Sequence, residues 1–163
     1  MKPLYTLLIS FVALTAASCH HIDDDRLPPA AVRVAFNNVG EWDLYGVAGA
    51  GSYRYFIRSE MQPSGFPYTA LTYTGFGGIL LVGDIHGLPV AYDLACPVEC
   101  RSDVRIRVLP DELKAECPVC HSVYEIVTNH GQPLSGPAAK KHYGLCKYYV
   151  GPGYQGEYMV ISR

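Results

Sequence analysis

VRIRVL at residues 104–109 and ECPVCHSVYEIV at residues 116–127 decide the reading of this chain. In the first, Val104, Ile106 and Val108 fall on one face and Arg105 and Arg107 on the other, the period of two that a half-buried antiparallel strand requires. In the second, a tight Cys-Pro-Val-Cys turn leads into another strand-like run. Working outward, AVRVAF (31–36), YRYFI (53–57), GILLV (78–82), LPVAYDL (88–94), CKYYV (146–150) and EYMVI (157–161) are short runs rich in Val, Ile, Tyr and Phe, each bounded by Gly, Pro, Asn or Asp. Helical signals are thin. DELKAE (111–116) is short and squeezed between Pro110 and a cysteine, and the AAKKH stretch after Pro137 has room for one turn. With 16 Gly and 12 Pro in 163 residues, long helices are disfavoured, so the expected class is all-β, in small antiparallel sheets.

Two cysteine knuckles punctuate these strands, CPVEC at 96–100 and CPVCHS at 117–122. A knuckle turns its side chains toward one point, so Cys96, Cys100, Cys117 and Cys120 can converge on a single centre. Successive backbone N–H groups of such a turn can bond to thiolates and lower their pKa near a metal. Spacing alone leans toward Zn²⁺, with a mononuclear iron held by four thiolates as the other single-ion reading. In an oxidising compartment, a Cys100–Cys120 disulfide or two bridges between the knuckles are the competing expectation. Cys146 lies in a strand run and reads as a small buried hydrophobe.

The first 18 residues carry Lys2, an apolar stretch from Leu4 to Leu14, and then Ala16, Ala17 and Ser18. They have the flanks of a secretory signal peptide and are too short for a membrane span. Cys19, directly after them, resembles the acylated cysteine of a bacterial lipoprotein, which implies a lipid anchor such as palmitate and a place in the cell envelope. Residues 19–30, with Asp23, Asp24 and Asp25 in a row, are expected to form a polar tether. The acidic triplet also resembles export signals of surface lipoproteins, which points to the outer membrane or cell surface. The remaining length suits one domain, expected over 31–163. A formal charge of −2 without a basic face argues against nucleic acid as a partner.

GGILLV through CPVEC, then ECPVCHSVYEIV, NHGQPLSGPA and LCKYYV, together resemble a Rieske-type iron–sulfur domain. The resemblance implies stacked antiparallel sheets with a small metal-binding subdomain, its metal-binding loops within 94–124 and its cover loop at 131–139. Cys96 and Cys117 match the family's two cysteine ligands. Cys120 stands where the second histidine ligand belongs, His121 where the family usually has glycine, and Ser122 and Tyr124 match the pair that hydrogen-bonds to the cluster sulfurs. Gly136, Pro137 and Ala138 match the loop that shields the cluster. The chain departs at the first histidine position, which is Val98, with Cys100 the nearest replacement.

The implied cofactor is therefore a [2Fe–2S] cluster held by thiolates, with Zn²⁺ or mononuclear iron as alternatives. Histidine ligands put a Rieske potential at about −150 to +300 mV, whereas all-thiolate clusters sit near about −400 mV. The implied role is electron transfer with a redox partner protein, as a carrier or binding protein rather than a catalyst. The alternative is a structural or interaction module whose cysteines bind zinc or form disulfides. His20 and His21 lie in the tether beside the acyl site, His86 sits at a hairpin turn expected at Asp84–Gly87, and His130 and His142 stand at no metal-ligand spacing; the glycines of VAGAGS (47–52) precede no helical pattern, and no hydrolase constellation stands out.

Overall fold

The computed structural model describes residues 21–128, 130–154 and 156–163. The expected signal peptide and the lipidation candidate Cys19 lie outside the described residues. The chain is all-β in class. Seven strands form one antiparallel sheet in the order β2-β4-β5-β10-β11-β1-β3, built from Val32–Phe36 (β1), Tyr53–Phe56 (β2), Tyr73–Thr74 (β3), Ile79–Gly83 (β4), Pro89–Asp93 (β5), Lys147–Pro152 (β10) and Met159–Ser162 (β11). Four shorter strands form a second sheet in the order β6-β7-β8-β9: Arg107–Leu109, Lys114–Glu116, Val123–Glu125 and Pro133–Ser135. A lone bridge, Ala95 to Arg105, joins the end of β5 to the chain entering β6.

The alternation in VRIRV survives folding: Val104, Ile106 and Val108 are buried, Arg105 is partly covered and Arg107 is exposed. β4 is buried along its whole length, because its alternate residues serve two different cores. Leu80 and Val82 pack with Val104, Ile106, Tyr124 and Ile126. Ile79 and Leu81 pack instead with Val34, Phe36, Phe56 and Ile161. This two-sided strand holds the small sheet against the large one.

Three local stretches add to the sequence reading. DELKAE, too short for a helix, supplies β7: Leu113 takes a left-handed φ of +52°, which turns the chain so that Lys114–Glu116 pairs with β6. Helix α1, Val39–Tyr45, was not anticipated. Its signal is Asn38, whose side chain accepts from the Glu41 N–H at 3.0 Å, while Glu41 accepts from the Asn37 N–H at 2.7 Å, a reciprocal cap at the helix start. The expected tether is docked from Asp23 onward. Asp23 donates to the His142 carbonyl and accepts from the Gly144 N–H, both at 2.8 Å, and Leu27 is buried in the core. The buried Leu27 and the two backbone bonds together pin the strap. The short second helix, α2 at Gly136–Lys141, occupies the stretch expected to make one turn.

Candidate metal centre

Both knuckles sit at hairpin tips. The first is closed by backbone bonds from Cys96 N to Val104 O (3.0 Å) and Ile106 N to Leu94 O (2.8 Å). The second caps the β7–β8 hairpin through Cys117 N to Ser122 O at 3.0 Å. Beneath the first tip lies Asp93, fully buried, whose carboxylate accepts from the N–H groups of Phe76 (2.8 Å), Gly77 (3.0 Å) and Ala95 (2.7 Å) and from the Tyr148 hydroxyl (2.5 Å). This carboxylate fixes the strand three residues ahead of Cys96.

The tips bring Cys96, Cys117 and Cys120 together, their sulfur atoms all within 4.8 Å of one another. Cys96 Sγ and Cys120 Sγ are 3.6 Å apart. Metal–sulfur bonds of about 2.3 Å space the sulfurs of a tetrahedral ion about 3.8 Å apart, so the three thiols are placed to share a metal ion. Cys96 and Cys117 are fully buried and Cys120 partly so. Each of the five described cysteines is a free thiol.

The surroundings favour sulfur-centred negative charge. The Val98 and Glu99 N–H groups face Cys96, and those of Val119 and Cys120 face Cys117. The Tyr124 hydroxyl lies 3.6 Å from Cys96 Sγ, and the Ser122 hydroxyl 3.2 Å from Cys120 Sγ. Burial nonetheless pushes the Cys96 thiol up to about 12 and raises that of Cys117. Cys120 goes the other way. Burial raises it, but hydrogen bonds from the Ser122 hydroxyl and N–H and from the two neighbouring thiols bring it below its ordinary value. Burial, and then the nearby Cys96, raise Tyr124 strongly, so its phenol stays protonated and available to donate.

The Gly136–Ala138 segment packs against the second knuckle. Gly136, at φ +78°, crosses so closely over the second knuckle that an added Cβ would stand 2.8 Å from Ser122 Cα. Pro137 occupies the first turn of α2, and the buried Ala138 donates its N–H to Ser122 Oγ at 3.0 Å. His121 points outward with its side chain 74% exposed, and its Nδ1 meets Glu116 Oε1 at 2.8 Å.

Cys100 stands apart from the other three thiols. Its sulfur faces the Pro97 carbonyl at 3.2 Å and the Arg26 guanidinium at 3.8 Å, and its side chain packs against the core of the large sheet. The physical reason is the turn. The Cys100 N–H bonds to Cys96 O at 2.9 Å with Cys100 at φ +50°, which rotates its Cβ away from the cluster. Arg26 straps the same knuckle, donating to Pro97 O at 3.3 Å with its guanidinium 4.1 Å from the centroid of the Tyr143 ring. Sequence reading missed Arg26, Tyr143 and Asp93. The first two meet the knuckle only through tertiary contact, and Asp93 is announced only by a carboxylate in an otherwise apolar strand. Compared with known proteins, the chain matches no family model and no curated protein.

Proposed function

We propose that this chain is a lipid-anchored electron carrier of the bacterial cell envelope, whose Rieske-like tip holds a thiolate-ligated [2Fe–2S] cluster. The observation that carries the reading is the convergence of Cys96, Cys117 and Cys120 beneath four knuckle N–H groups and two hydroxyls. Soft thiolates suit iron–sulfur clusters and zinc and disfavour hard ions, so the donor set fits the group. When bound, the cluster would supply reversible one-electron chemistry at a low potential. The chain's own part is to hold and tune it. Tyr124 and Ser122 direct O–H dipoles at two sulfurs, the burial of Cys96 and Cys117 keeps water from the inner side, and Gly136–Ala138 closes over the second knuckle. Pro118 and Val119 leave the outer side of the tip exposed, a short path for an electron to a docked partner protein.

A second reading is favoured by the sulfur spacing itself. Three sulfurs within 4.8 Å match one ion, whereas a two-iron cluster divides its ligands between two metals. Zn²⁺ at this position would pin the loops and make the domain a structural or interaction module without redox activity. Anaerobic purification followed by iron, zinc and acid-labile sulfide analysis separates the readings. Two irons and two sulfides per chain, with a dithionite-reducible visible spectrum, support the carrier. A colourless protein with one zinc overturns it. The anchor is tested independently by the membrane partition of Cys19→Ser.

A further inference from the structure

The two knuckles are copies of one turn. CPVEC and CPVCH share their first three residues. In each, the N–H groups two and three residues after the leading cysteine face its sulfur. In each, the fifth residue is left-handed, Cys100 at φ +50° and His121 at φ +54°. It also donates its N–H to the leading cysteine's carbonyl, at 2.9 and 3.0 Å respectively. The fifth position points away from the site in both copies: His121 to Glu116, Cys100 to Pro97 and Arg26. The fourth position is the one that returns a side chain to the cluster in the second copy, through Cys120. Its counterpart in the first copy is Glu99.

We infer that Glu99, not Cys100, supplies the fourth ligand of the centre, giving three thiolates and one carboxylate. The inference rests on the metal-binding reading above and goes beyond it in naming a ligand that cysteine counting passes over. Carboxylate oxygen ligates Zn²⁺ at about 2.0–2.2 Å alongside sulfur, and a glutamate at a knuckle's fourth position has two more bonds of reach than a cysteine. Glu99 is partly exposed, and the neighbouring Arg101 pairs with Asp103 rather than with it. Binding would require the Glu99 side chain to rotate toward the three sulfurs, with the turn unchanged. Cys100 has no such freedom, because its backbone bond and its packing against the large-sheet core would both have to break.

The test uses the full chain, reduced and metal-free, titrated with Co²⁺ and followed by its sulfur-to-cobalt absorption, with Zn²⁺ competition for affinity and circular dichroism to confirm folding. The expected result is that Cys100→Ser binds within about threefold of wild type with an unchanged spectrum. Glu99→Gln loses more than the about 10–100-fold typical of groups standing behind a ligand. Glu99→Cys gains charge-transfer intensity as a fourth thiolate joins. If Cys100→Ser loses the metal while Glu99→Gln keeps it, or if neither variant changes affinity, the assignment of Glu99 is overturned while metal binding stands. If wild-type protein takes up neither ion, the Glu99 assignment and the single-ion reading fall, while the iron and sulfide analysis decides the cluster.

Discussion

The Ala138 N–H donates to the Ser122 hydroxyl at 3.0 Å, so a single oxygen joins the start of α2 to the second knuckle. The same oxygen also accepts from the Cys120 thiol at 3.2 Å, and once that sulfur is a thiolate the Ser122 O–H can turn to donate to it. Ser122→Ala removes both contacts. We expect it to weaken metal binding by about 10–100-fold, measured by competition with a chromophoric chelator. In an iron-loaded protein, Tyr124→Phe should shift the reduction potential downward, because a hydroxyl dipole directed at sulfur stabilises the more negative, reduced state.

Metal should stabilise the fold, because the three ligands lie on two separate hairpins. At a free ion concentration of 100 times Kd the gain is about 2.7 kcal/mol, or about 5–10 °C in Tm for a domain of this size. Scanning calorimetry with and without Zn²⁺ checks this. Cys120→Ser should lose most of the increment, and a chelator should reverse it.

Thiol reactivity orders the site in the metal-free state. Only the thiolate reacts, so a pKa below the ordinary 9.0 speeds alkylation near neutral pH and a raised one slows it. Cys120, lowered and partly exposed, should be carboxymethylated by iodoacetate before Cys96, pushed up to about 12, and before Cys146, pushed up by burial to about 11. Its rate should reach half its plateau below pH 9.0, and bound metal should abolish the reaction. Peptide mass mapping against pH reads each site separately.

Asp93 should dominate the stability of the first tip. Asp93→Ala leaves three backbone N–H groups and the Tyr148 hydroxyl without their acceptor in a buried setting. A loss of about 4 kcal/mol in urea denaturation is expected, against about 1 kcal/mol for Tyr148→Phe.

Gly136→Ala should be costly although it adds only one methyl group. A left-handed backbone costs an L-residue about 1–2 kcal/mol, and the new Cβ would press on Ser122 Cα and the His121 carbonyl. The expected loss is about 2 kcal/mol, or about 4–8 °C in Tm. Weaker metal affinity should accompany it, because Ser122 must move.

What was legible in the sequence follows from periodicity and local turns. The strands of VRIRV, GILLV and CKYYV, the hairpin at Asp84–Gly87 and the pairing of the knuckles all follow from residues near one another in the chain. Cys100 illustrates the limit. Counting cysteines counts thiols but not directions, and the direction of Cys100 is set by a left-handed φ and by Arg26, 74 residues away. The tether illustrates another. Its composition is that of a solvated spacer, yet Leu27 and a two-bond backbone clasp fix it to the domain. Helix α1 was legible and passed over, since Asn38 and Glu41 stand at the spacing of a capping box.

The clasp at Asp23 and the contact of Arg26 with Pro97 also bear on orientation. For an acyl chain on Cys19, the four intervening peptide links reach at most about 14 Å. The domain would then hang on a short leash that emerges beside its own first knuckle, with little freedom to tumble. The sulfur-bearing end would patrol the lipid headgroups, within range of membrane-embedded proteins and poorly placed to greet a diffusing one.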